Sequence, residues 1–394
     1  TTTADFKVNN SSYDYASWTF RKAPKFFDCV TWTGDGTSNR AIPHNLNGAV
    51  GSYFVKCTSD SSTSDWIVWH KDLSSNAHHL VLNTTAEQEN YNLFSTTAPD
   101  SSNVYLGTTY IDFYNGIGRT YVAYLFAHND SGDGAFGPDG DQDIIKCGSY
   151  TGNGSTAGPE INLGFEPQWV MIKRTDAAND DAWPIHDTMR GIASGGSDPF
   201  LLASTSAVEN SISVIDVTST GFKLTAGYGG WDGSGGTYIY MAIRRGPLAP
   251  PTAGTEVFGL NAYTGNATSG RIIDVGFPVD LGIIKNRTPG GDTDNLSDRL
   301  RGPNRFLTAT ASNAENTSTN NVKGMDNMEG FEVGSDTQVN YTGSGYGPYI
   351  MWGWKRAPSY FDVVAYSGNS VSGRAVSHNV LGVAPEMIWV KNRN

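Results

Sequence analysis

Four segments of the chain share one punctuated motif, an aromatic residue, Thr or Ser, Gly, then Asn or Asp. They are Trp32-Thr33-Gly34-Asp35, Tyr150-Thr151-Gly152-Asn153, Tyr263-Thr264-Gly265-Asn266 and Tyr366-Ser367-Gly368-Asn369, roughly 100–120 residues apart. Each is preceded by a strand-like stretch that opens on tyrosine, at Tyr15, Tyr121, Tyr238 and Tyr349. Each is followed by an apolar stretch that ends in lysine, at Lys56, Lys173, Lys285 and Lys391. Repetition in this fixed order means that the chain is built from copies of one unit. The period is too long for a solenoid, whose repeats run about 20–50 residues, and has the size of a domain.

Further matches keep the same phase. Asp187–Gly191 (DTMRG) in the second unit answers Ser297–Gly302 (SDRLRG) in the third, and Glu209 and Glu315 close the stretches that follow. The first unit keeps only HLVLNTTAE, up to Glu87. GFKL from Gly221 and GFEV from Gly330 correspond, and DFKV from Asp5 stands at the same phase before Tyr15. The expected organisation is the end of a preceding repeat at 1–20, repeats at 21–128, 129–247 and 248–356, and the start of a fourth at 357–394. Residues 1–22 are then expected to complete a preceding domain of a longer chain, or to pair with residues 349–394 of another copy.

Within each unit, short β-branched and aromatic runs alternate with Gly, Asn, Asp and Ser clusters every 8–12 residues or so, the pattern of antiparallel sandwiches. The chain has 46 Gly, and only 17% of its residues are charged. Helix-forming Ala, Glu, Lys and Leu give way to Thr, Ser, Asn, Gly and Tyr, which argues against bundles and coiled coils. The expected fold class is all-β, as tandem antiparallel β-sandwich, jelly-roll-like domains. Helix is expected only near Glu87, Glu209 and Glu315.

A net charge of −12 repels nucleic acid and anionic membranes, and no apolar run reaches the ~18 residues of a membrane span. The partners expected therefore include no nucleic acid, and no membrane insertion is expected. Three cysteines at irregular spacing form neither a disulfide framework nor a zinc cluster. Cys29 and Cys147 share a register with Leu260 and Val363, which marks them as core thiols, whereas Cys57 falls at a strand end where exposure is expected.

Signatures of catalysis are scarce: there is no G-x-S-x-G elbow, H-E-x-x-H pair or P-loop. His44 and His378 share a register that Asn162 and Val275 fill in the middle units, so they read as structural histidines. The recurrent lysines end apolar strands, where a long stem covers a sheet edge while the ammonium stays wet. Asp139, Asp141 and Asp143 alternate in a glycine-rich insertion of the second unit as oxygen ligands of a hard cation do, which makes Ca²⁺ the candidate cofactor; a solvated acidic loop is the competing reading. The pairs Asp180–Asp181 and Asp292 with Asp294 read as turn residues. Trp231, in the glycine-rich GYGGWDGSGG, with Trp66 and Trp69, are the candidate ligand-binding aromatics, since flat rings on loops suit sugar stacking; packing of Trp231 beneath its own loop or against a neighbouring domain is the competing reading.

The run from Trp354 to Arg393, WKRAPSYFDVVAYSGNSVSGRAVSHNVLGVAPEMIWVKNR, with DTMRG and GYGGWDGSGGTYIYMAIRR in the other units, resembles a repeated domain of virion structural proteins from tailed bacteriophages, marine and cyanobacterial phages in particular. Such proteins are usually described as tail fibres. The resemblance implies a non-enzymatic structural protein located in the virion, a tail fibre or appendage for host attachment. Its implied partners are other virion proteins, further copies of itself with a trimer favoured, and a host-surface glycan. A capsid-decorating or head-fibre protein, or a tailspike-type glycan hydrolase, are the alternatives. The family supplies no catalytic residues, and the first unit departs from it by lacking the D-x-x-R-G stretch.

Overall fold

A computed structural model describes residues 14–59, 65–130, 132–178, 182–288, 294–378 and 380–394. The protein is all-β, and among the described residues every strand pairing is antiparallel. Three units share one sheet plan. A strand carrying the aromatic turn motif (Phe27–Thr33, Ile145–Thr151, Phe258–Thr264) pairs with the tyrosine strand that closes its unit (Thr120–Ala127, Thr237–Arg244, Pro348–Trp354). That strand pairs in turn with the lysine strand (Val50–Cys57, Pro167–Arg174, Leu281–Asn286), and a short strand follows (Ile67–His70, Pro184–Asp187, Asn295–Asp298). A smaller sheet accompanies each large one, for example Glu160–Asn162 with Ile215–Thr218 and Gly221–Leu224 in the second unit.

The turn motif recurs because it closes the same latch three times. Its aromatic ring stacks on the first tyrosine of the closing strand: Trp32 on Tyr121 at 5.5 Å, Tyr150 on Tyr238 at 5.0 Å and Tyr263 on Tyr349 at 5.4 Å. The same ring donates a hydrogen bond to the carbonyl of Tyr114, Trp231 or Val339. The next residue is in each case a fully buried amide or carboxyl, Asn115, Asp232 or Asn340, whose Oδ1 accepts the backbone N–H of Asp35, Asn153 or Asn266 in the turn. A Cβ on the motif glycine would meet the carbonyl oxygen of Gly116 at 2.0 Å from Gly34, of Gly233 at 2.4 Å from Gly152 and of Tyr341 at 2.1 Å from Gly265. Only glycine permits that approach.

The second unit's large sheet is buried on both faces. Trp169, Met171, Ile239, Met241 and Ile243 join the core of the first unit, while the alternating Val170, Ile172, Tyr238, Tyr240 and Ala242 face the second unit's own core. This is the period-two alternation of a strand with apolar contacts above and below, and it accounts for the unbroken apolar runs WVMIK and YIYMAI. His70 spans the contact, its Nε2 donating to the Tyr240 carbonyl at 3.1 Å while its Nδ1 accepts the Asp72 N–H.

Several expectations need correction. Tyr15 occupies no strand and is half exposed, unlike Tyr121, Tyr238 and Tyr349. The helical elements among the described residues are Ile111–Phe113, Gly229–Asp232 and Gly254–Glu256, all short turns, none of them near Glu87, Glu209 or Glu315. Cys57 is buried at the end of its strand. Lys173 is fully buried, its ammonium donating to the Thr85 carbonyl at 3.0 Å, because packing of the first unit over this sheet leaves no wet edge for it.

Candidate functional site

The candidate residues separate into three environments. Trp231 lies in the helical turn Gly229–Asp232, is only 8% exposed, packs edge-on to Phe200 and donates its indole N–H to His186 Nε2 at 2.9 Å. Phe200 and His186 lie against it in the second unit's core, so its ring is a core element. Trp69 is likewise core, stacked on Tyr53 at 5.3 Å with its N–H on the Asn76 carbonyl. Trp66, just ahead of strand Ile67–His70, keeps partial exposure and lies between Tyr124, stacked at 6.0 Å, and the Lys56 ammonium, 5.8 Å from its ring centre.

The acidic insertion is not drawn into a cage. Asp143 accepts the backbone N–H groups of Gly132 and Gly134, which ties the loop's two ends together, while Asp139 and Asp141 sit exposed on the turn between. Among the described residues no group of three His, Cys, Asp or Glu side chains is placed to hold a metal ion. Asp294 is buried and accepts from Ala309 N–H and from the Thr310 backbone and hydroxyl, so it organises a strand entry. Asp180, Asp181 and Asp292 lie outside the described residues.

The D-x-x-R-G stretches form an ion-paired clasp. Arg190 Nε donates to Asp187 at 2.7 Å and its NH1 reaches Glu209 at 3.0 Å; Arg301 does the same with Asp298 and Glu315. The acidic residues that closed the matching stretches in sequence are thus the third members of the clasp. Leu73 stands three residues beyond His70, where the other units place arginine three residues beyond Asp187 and Asp298, so among the described residues the first unit forms no such clasp.

An exposed aromatic cluster lies elsewhere, in the first unit's loop before its closing strand. Tyr91, Tyr110 and Phe113 are 47%, 58% and 37% exposed. Tyr91 and Tyr110 are 5.6 Å apart and Tyr110 and Phe113 6.1 Å apart, at steep interplanar angles, with His79 behind Tyr91 at 5.7 Å. Tyr110 adopts φ 51° and ψ 39°, the left-handed region that a bulky residue enters at a cost of roughly 1–2 kcal/mol. Thr109 fixes the neighbouring strandless segments together through its hydroxyl on the Tyr91 carbonyl, and the Tyr114 hydroxyl donates to the Thr109 carbonyl at 2.6 Å. Sequence reasoning missed this cluster because its members are separated by up to 22 positions and share no motif; the one local signal was YIDFY, aromatic residues crowded into a loop.

Fold and surface together define a tandem-repeat all-β protein that displays aromatic side chains from an ordered loop. The family model described as a domain of unknown function (DUF7483) matches residues 1–247 and again 253–394, and the chain belongs to that family. No curated protein and no solved structure matches it.

Proposed function

We propose that this chain is a non-enzymatic structural protein of a virion, part of a tail fibre or similar appendage, and that it attaches the particle to glycans on the host surface. The observation that carries the binding half of this reading is the Tyr91–Tyr110–Phe113 cluster. Half-exposed rings beside hydroxyl groups suit sugars, which present apolar C–H faces with a polar rim. Backbone strain such as that at Tyr110 concentrates at ligand-contact sites. The net charge of −12 disfavours acidic polysaccharide, so the ligand class is a neutral glycan. The virion half rests on the resemblance carried by residues 354–393 and by the DTMRG and GYGGWDGSGG stretches of the second unit. A rigid tandem scaffold suits an appendage, and many copies on one particle raise a weak site's avidity by about 10²–10⁴. Partners in this reading are other virion proteins and further copies of the chain, a trimer being favoured.

The test is retention of purified protein on neutral host-surface polysaccharide, with glycan length followed over time. Retention that drops about tenfold in Tyr110→Ala, with no new reducing ends, supports the reading. Equal retention by wild type and a Tyr91→Ala/Tyr110→Ala double variant would overturn it, and accumulating reducing ends would reveal a hydrolase.

A further inference from the structure

The first two units pack on each other through the outer faces of their large sheets. Directly paired residues of antiparallel strands share a face, so one row across the second unit's outer face runs Cys147–Met241–Met171–Ile185. The matching row of the first unit runs Cys29–Tyr124–Phe54–Val68. The two faces meet: Phe54 lines one small void with Met171, Ile239 and Met241, and a Cβ on Gly51 would stand 2.5 Å from Cys147 Sγ. Every member of the second unit's row is buried, Cys147 to 1% exposure.

The third unit carries the same row, Leu260–Trp352–Ile283–Leu296, and leaves it open. Leu260 is 58% exposed, Trp352, Ile283 and Leu296 are half-buried, and so are Phe258 and Trp354 beside them. The sheet's other face is the one that fills the unit's own core, through Tyr263, Ile284, Tyr349 and Met351. The chain's last segment does not take the first unit's place over the open row. Among the described residues 357–394 form no strand, and Lys391 and Arg393 tie that segment to the Ala311 carbonyl and to Glu315 instead. A contiguous apolar surface of this kind marks an association face.

We propose that the row is a homotypic interface, in which the third unit of one copy packs its outer sheet face on the same face of a second copy, as the first two units do within one chain. The row's side chains are apolar apart from the indole N–H of Trp352, which suits a dry protein partner better than a glycan. The packing inside the chain shows that this face pairs with its own kind. The first two units have spent theirs on each other, so among the described residues the third unit finds its mate only on another copy. A face that meets its own copy does so about a two-fold axis and closes at two. The trimer favoured above for the appendage would use a different surface.

Sedimentation velocity of the intact protein over about 1–100 μM, the range of a modest interface, tests this. A reversible species of twice the monomer mass is expected. Leu260→Lys sets a charge in the row at a position already exposed in the single chain, so the fold should hold. The dimer should loosen by about a hundredfold or more, because a two-fold contact carries the change twice. Trp352→Ser should act in the same direction, whereas Ile117→Lys, at a still more exposed position of the first unit, should leave the dimer intact. Melting temperatures of the three variants check their folding, and Leu260→Lys alone decides if Trp352→Ser is unstable. A monomer at every concentration, a trimer as the only assembly, a dimer that survives Leu260→Lys, or one lost equally in Ile117→Lys overturns the proposal.

Discussion

Arg356 and Glu166, separated by 190 residues, form a bidentate ion pair with both N–O distances at 2.6 Å. Neither side chain is more than 5% exposed. Around them Arg356 Nε reaches Asp362 at 2.6 Å and its backbone N–H reaches Asp280, which also binds Arg245 and Arg299. Three arginines and three carboxyls thus meet where the second unit, the third unit and the chain's last segment join. Burial alone pushes the Asp280 carboxyl up, but Arg245, Arg299 and Arg356 outweigh it and hold the group below the usual carboxylate range. The fork of Arg356 suits this place because a guanidinium matches a carboxylate with two parallel hydrogen bonds.

Removing one partner should therefore be worse than removing both. Arg356→Met is expected to destabilise by about 3–5 kcal/mol, since it strands a buried carboxylate, while Arg356→Met with Glu166→Gln recovers part of the loss. Urea denaturation of the single and double variants measures the difference.

The motif glycine offers an internally controlled test. Gly152→Ala drives a methyl group to within 2.4 Å of the Gly233 carbonyl and is expected to destabilise by about 1–3 kcal/mol. Gly368→Ala, at the same register in the chain's last segment, meets nothing within 4 Å and should be close to neutral. Melting temperatures of the two variants, measured side by side, check this.

Two of the buried histidines, His186 and His70, should make the protein sensitive to mild acid. Burial, with the neighbouring Arg190 charge, pushes His186 down to about 3, and its Nε2 must stay unprotonated to accept the Trp231 N–H. Burial likewise pushes His70 down to about 4. Both folded-state values lie below the unfolded 6.5, so the stability they protect is complete above pH 6.5 and is lost as pH falls towards 4 and then 3. The loss approaches about 3 kcal/mol or more per site. Denaturation midpoints at pH 7, 5.5 and 4.5 should fall in that order, and less steeply in His70→Gln.

Replacing Tyr110 by glycine separates binding from stability. Glycine enters the left-handed region without penalty, so Tyr110→Gly is expected to hold or raise stability by up to about 1 kcal/mol. The same change removes the most exposed ring of the cluster and should weaken glycan retention. Melting temperature and retention on polysaccharide, measured on one preparation, read both effects.

The repeat, the all-β class and the placement of the aromatic turns were legible in the sequence because they depend on local or periodic relations. A strand shows its faces with period two, and a glycine forced by a carbonyl's approach must recur wherever the latch recurs. The D-x-x-R-G clasp was visible as a matched string, though the meaning of Glu209 and Glu315 came only with the geometry. Tertiary structure alone decided which loop residues are buried. The sequence left Trp231 between ligand contact and packing and placed the Lys173 ammonium in water; neighbouring segments bury both, and they leave the Tyr110 ring exposed. The Arg356–Glu166 junction was equally hidden, because it joins different repeats and no spacing within one unit encodes it. Burial is a property of what packs on top of a residue, and in this chain the covering side chains come from segments as much as 190 residues away.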